Sequence, residues 1–157
     1  ADLLMKMDDA NIIWQVGKAY IDQYKSCILS TRPDTLILPF IEDMDLAYSA
    51  ADVVVCRAGA LTISELAILG KAAILIPSPN VAEDHQTVNA MALVNRDAAL
   101  LIKDVDAKDR LIDELKSLLS SDDRRSGLEQ NIKYFARPQA AKMIAAEILK
   151  LCTNQRV

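Results

Sequence analysis

Hydrophobic positions fall in two rhythms along the chain. Short continuous apolar runs alternate with stretches of helical spacing. Asn11 to Val16 reads as a strand, with a turn at Gly17 and a helix from about Ala19 to Ser26. Thr35 to Leu38 is a short strand ending at Pro39, and Asp43 to Ala50 a short helix. Asp52 to Cys56 reads as the central strand. The helix after it, Ala60 to Leu69, is stopped by Gly70. Ala73 to Ile76 is the next strand, closed by Pro77-Ser78-Pro79. Glu83 to Asn95 reads as a helix and Ala99 to Ile102 as a last strand. Three helices follow: Lys108 to Leu119, Asp122 to Phe135, and Gln139 to Cys152. Ala1 to Met7 has the pattern of a helix end with no start signal, so the sequence reads as a fragment of a longer protein.

Five strands separated by helices imply an α/β fold, a mostly parallel sheet with helices on both faces. No linker or repeat interrupts residues 1–157, which read as one domain. Ligands of such sheets bind beyond the carboxyl ends of the strands. Phe40 to Met44, Arg57 to Glu65 and Pro77 to Asn89 collect there.

The most informative stretch runs from Val53 to Glu65. A β-branched strand meets a turn at Gly59, and a helix opens at once, its free N–H groups aimed beyond the sheet edge. From Ala60 to Leu69 that helix carries one charge, Glu65. Two readings account for it. Thr62-Ile63-Ser64-Glu65 fits a capping box, with Thr62 as N-cap and Glu65 folding back onto it. Alternatively, the amides after Gly59 hold a diphosphate while Glu65 accepts hydrogen bonds from a ribose diol, two acceptor oxygens for two hydroxyls. On pattern alone the capping box is the simpler reading.

The other loops carry weaker signals. Gln86 and Asn89 lie three apart on one helix face, and their amides offer the donors and acceptors that sugar hydroxyls require. His85, the only histidine, reads as a surface residue. Glu42 and Asp43 suit a helix start, while the backbone at Ile41 is placed to read the edge of a planar base. Gly17 makes a turn and Lys18 reads as solvated; no glycine-rich nucleotide fingerprint is present.

Composition narrows the partners. The 157 residues are 52% hydrophobic and 25% charged, with a net charge of −4. No basic block stands out and aromatics are only 4%, which argues against nucleic acid. No apolar run approaches the ~20 residues of a membrane span. Cys27, Cys56 and Cys152 form neither a disulfide framework nor a zinc motif, which suits a reducing compartment. No metal site is expected.

Taken together, four segments resemble the C-terminal domain of the MurG family of peptidoglycan glycosyltransferases. The strongest runs from Ala51 to Leu66 and the second from Pro77 to Ala90. Phe40 to Met44 is a third, and Ile13 to Lys18 a weaker fourth. The similarity spans about Asn11 to Ala99 and loosens through the C-terminal helices. It implies a Rossmann-like parallel sheet, the C-terminal half of a GT-B glycosyltransferase. The family transfers N-acetylglucosamine (GlcNAc) from UDP-GlcNAc to lipid I, forming lipid II. The resemblance implies that Ile41 contacts uracil through its backbone. Ala60, Leu61, Thr62, Ile63 and Ser64 would line the diphosphate, Glu65 hold the ribose hydroxyls, and Gln86 contact the GlcNAc hydroxyls with Asn89 beside it. Glu65 then reads as a ligand group, although Thr62 still suits a cap.

UDP-GlcNAc is the donor substrate and no cofactor is implied. The family's opening strand and Gly-Gly-Ser-type loop are not in this sequence, nor is the N-terminal domain that binds lipid I and meets the membrane. No catalytic residue is assigned, and the fragment alone is expected to be inactive. The full-length protein is expected in the cytoplasm, peripheral on the inner face of the bacterial plasma membrane. The alternatives are the donor half of another GT-B UDP-sugar transferase or epimerase, and a non-catalytic α/β interaction module in which Glu65 only caps.

Overall fold

A computed structural model describes residues 1–79 and 84–154. The strands are β1 (Ile12–Gln15), β2 (Thr35–Leu38), β3 (Val53–Cys56), β4 (Ala72–Leu75) and β5 (Leu100–Leu101). The helices are α1 (Ile21–Tyr24), α2 (Met44–Ala50), α3 (Ala60–Leu69), α4 (His85–Val94), α5 (Ala107–Leu119), α6 (Asp122–Ile132) and α7 (Ala140–Asn154).

All strand pairs are parallel, as expected, but the strands form two ladders rather than one. β1 pairs with β2, Ile12 opposite Thr35. β3, β4 and β5 form a separate sheet in that order, with Val53 opposite Ala72 and Ile74 opposite Leu100.

β4 explains why helices cover both sheet faces. Its four residues are all buried, and successive side chains point to opposite faces. Ala73 and Leu75 join a cluster with Leu66 and Ala67 of α3, Ala90 and Leu93 of α4, and Ile132. Ala72 and Ile74 join Ile112, Leu115 and Leu118 of α5, Leu128 of α6 and Met7 from the chain start. Ile12 of β1 and Val53 of β3 both pack against this second cluster, so side chains link the two ladders.

Cations close several of the joints. Arg32 grips Asp34 through two nitrogens and donates to the carbonyls of Leu4 and Ala10, tying the chain start to β2. Its guanidinium holds the Asp34 carboxyl below the usual carboxylate range. Lys71 Nζ donates to the carbonyls of Ser49 and Ala51, and Arg125 to those of Leu118 and Leu119. These carbonyls lie at the ends of α2 and α5, where a helix runs short of its own N–H donors.

The irregular parts depart from the sequence expectation. The segment read as a helix end is a 3-10 turn, Leu4–Lys6. The first helix is four residues long rather than about eight, and a second 3-10 turn, Ile28–Thr31, follows it. There Ser30 and Thr31 turn their hydroxyls onto the carbonyls of Cys27 and Ile28, the local competition that disfavours helices. The helix expected from Glu83 begins at His85, with Glu83 itself outside the described residues. Asp122 to Phe135 divides into α6 and a 3-10 turn, Lys133–Phe135.

Gly70 ends α3 in the left-handed conformation, with φ 65°. A Cβ there would also lie 2.1 Å from Lys133 Cε. The lysine end can shift, but the backbone strain cannot be relieved. Gly70→Ala is therefore expected to cost about 1–2 kcal/mol in urea denaturation, at unchanged m-value.

Candidate donor site

β3 delivers the chain to the site. Cys56 ends the strand, and Ala58 packs fully buried in the core beneath the turn. Burial pushes the Cys56 thiol up to about 12, so it is an inert packing group. Gly59 is extended at ψ 144° and is the N-cap of α3. The first helical hydrogen bond runs from Ile63 N–H to the Gly59 carbonyl, 3.0 Å. The amides of Ala60, Leu61 and Thr62 therefore have no acceptor within the helix, and glycine offers no side chain to cap them.

This overturns the capping-box reading. Thr62 is the third residue inside α3, three positions past the cap. Ser64 turns its hydroxyl back onto the Ala60 carbonyl. Glu65 is exposed and one full turn further on, where its carboxylate accepts from Tyr48 Oη at 3.2 Å. With Met44, Asp45, Ile68 and Leu69, these two residues line a cavity of about 240 Å³ between α2 and α3.

The sugar-side amides are tied into the scaffold. Gln86 Oε1 accepts from the Ser78 backbone N–H at 2.9 Å, and Asn89 Nδ2 donates to the Ala58 carbonyl at 3.2 Å. The face of α4 expected to meet a sugar thus also fixes the loops after β3 and β4. The Ile41 N–H, expected to read a base, donates to Gln15 Oε1 at 2.8 Å. A base using that N–H displaces the Gln15 carboxamide. Residues 80–83, within the second matching segment, lie outside the described residues.

Arg57 joins the loops from below. Its Nη1 donates to the carbonyls of Ile76 (3.2 Å) and Pro77 (3.1 Å) and pairs with Asp104. One guanidinium thereby connects the segments that follow β3, β4 and β5.

Tyr48, Arg57 and Gln15 had no role in the sequence reading. Tyr48 had one signal: a phenol at a buried helical spacing needs an acceptor, and Glu65 was an unpartnered carboxylate. The other two depend on contacts 19 to 47 residues apart. Among the described residues, no group of three or more His, Cys, Asp or Glu side chains could hold a metal ion. No described helix is long and apolar enough to cross a membrane.

Comparison with known proteins agrees with this architecture. A transferase of Flavobacterium psychrophilum is 47% identical over 148 residues, covering 94% of this chain and 40% of its own. It is named UDP-N-acetylglucosamine–N-acetylmuramyl-(pentapeptide) pyrophosphoryl-undecaprenol N-acetylglucosamine transferase. A Bacteroides fragilis protein of the same name is 44% identical over 151 residues, again covering 95% of this chain and 40% of its own. The chain thus spans about 40% of the length of these curated relatives. The crystal structure of Acinetobacter baumannii MurG superimposes with a TM-score of 0.80 at 30% identity, covering 94% of this chain and 44% of that one. The glycosyltransferase VinC shares the fold at a TM-score of 0.65 and 16% identity, over 80% of this chain and 30% of its own. The glycosyltransferase family 28 C-terminal domain matches residues 1–148, and the chain belongs to that family.

Proposed function

We propose that this chain is the UDP-GlcNAc-binding half of the inverting glycosyltransferase that adds GlcNAc to lipid I to form lipid II. The observation that carries the reading is the uncapped start of α3 at Gly59 with Glu65 six residues beyond it, nearly two turns along the helix. A helix N-terminus favours a diphosphate, and a carboxylate at that distance suits the ribose next to it.

In this reading the backbone of Ile41 meets the uracil edge. Ala60 to Ser64 surround the diphosphate, the amides of Ala60, Leu61 and Thr62 donating to it, and Glu65 accepts from the ribose diol. Gln86 contacts the GlcNAc hydroxyls, with Asn89 holding the Gly59 turn beside it. The negative charge that grows on the departing UDP is stabilised by the same amides, which are in place before reaction. The reaction needs no cofactor and no metal from this chain. The acceptor, the catalytic base and the membrane contact belong to the rest of the full-length enzyme, which works at the inner face of the plasma membrane. The chain alone, lacking that half of the geometry, transfers no sugar.

Calorimetric titration with UDP-GlcNAc, UDP and UDP-glucose tests the reading. Binding is expected to require uridine and to be tighter with GlcNAc than with glucose. Equal affinity for the two sugars would favour a transferase or epimerase of another UDP-sugar. Failure of all three to bind would defeat the donor-site reading.

A further inference from the structure

We propose that Tyr48 is a positioning residue that aims the Glu65 carboxylate at the ribose diol, an inference that rests on the donor-site reading. A glutamate has three rotatable bonds, and an exposed one loses that freedom when it engages a ligand. Glu65 is exposed on α3, but its Oε2 is held at 3.2 Å by a phenol from another helix, 17 residues away. That phenol cannot wander. Tyr48 is 9% exposed and packs in the core cluster with Ala58 and Leu66, the residues that flank the turn and Glu65. The backbone that presents the diphosphate-binding amides and the side chain that fixes Glu65 therefore share one rigid support.

The bond leaves the carboxylate competent. Each carboxylate oxygen has two acceptor directions, so Oε2 can take the phenol and still accept from a ribose hydroxyl while Oε1 takes the other. Both side chains border the cavity between α2 and α3. Burial, with the nearby carboxylate, pushes the Tyr48 phenol up to about 12. It is thus a proton donor throughout the physiological range.

The test is a two-by-two titration: the unaltered chain and Tyr48→Phe, each with UDP and with 2′-deoxy-UDP. A hydrogen bond to a charged group is strong enough that the unaltered chain is expected to bind 2′-deoxy-UDP roughly tenfold more weakly than UDP. Tyr48→Phe is expected to weaken UDP binding by about fivefold and 2′-deoxy-UDP far less, shrinking the penalty to about twofold. In a Glu65→Ala background, Tyr48→Phe is expected to leave UDP affinity where it was. Equal losses for the two nucleotides, no loss for either, or a further loss without Glu65 would each make Tyr48 a packing residue and overturn the proposal. Failure of the unaltered chain to bind UDP overturns the donor-site reading itself, and is seen before any variant is made.

Discussion

Glu65→Ala is expected to weaken UDP binding by about 10- to 100-fold while moving the melting transition little. The magnitude follows from two hydrogen bonds to a charged acceptor, each stronger than its neutral counterpart, with about 1.4 kcal/mol per tenfold in affinity. The small effect on folding follows from exposure. Glu65 reaches solvent, so deleting it opens no cavity and strands no buried charge. Its one resolved partner, the Tyr48 hydroxyl, loses an acceptor at the rim of a cavity, a cost of about 1 kcal/mol. Titration with UDP beside thermal denaturation checks both halves. A large drop in melting temperature with unchanged affinity would return Glu65 to a purely structural role.

Leu66→Ala is expected to do the reverse. Leu66 is the next residue of α3, yet it is fully buried among Tyr48, Ala58, Leu93 and Ile132. Truncating a buried leucine removes apolar contact and leaves a void, at a cost of about 2–5 kcal/mol. That is a large share of the ~5–15 kcal/mol that holds a domain together. Urea denaturation should show a lower midpoint at unchanged m-value. Nucleotide affinity extrapolated to the folded fraction should fall much less than for Glu65→Ala. A cost below about 1 kcal/mol would show that the core relaxes around the site rather than supporting it. Adjacent residues on one helix thus divide the labour, Glu65 exposed at the proposed donor site and Leu66 buried in the core.

The regular elements were readable because local pattern and tertiary burial agree there. β2 and α3 have the bounds that sequence spacing predicts. In α3, an apolar run between two glycines starts and stops with its chemistry. The 3-10 turn at Ile28–Thr31 was not readable, because hydroxyls satisfied by nearby carbonyls compete with regular structure there. The Thr62-to-Glu65 spacing misled for a different reason. A capping box and a short stretch inside a helix share the same four-residue pattern, and only the extended backbone at Gly59 separates them. The candidate site was readable as a set of segments at strand ends, with Glu65 as the proposed focus. Its wiring was not. The bonds Tyr48–Glu65, Gln15–Ile41 and Arg57–Asp104 join residues 17, 26 and 47 apart, and only the folded arrangement of strands brings them together.

The division of the strands into two ladders bears on how the proposed donor site would measure a ligand. The loop carrying Ile41 follows β2, while the Gly59 turn and α4, which carries Gln86, follow strands of the ladder of β3, β4 and β5. Backbone hydrogen bonds make each ladder stiff within itself. Among the described residues no backbone ladder crosses the joint, and side chains meet there, among them Ile12, Met7 and Val53. The candidate site therefore straddles a seam that no backbone ladder crosses, and the span from the Ile41 loop to the start of α3 is set across it. On the proposed reading, a nucleotide gripped at both ends would act as a strut across that seam, supplying stiffness where no backbone ladder does.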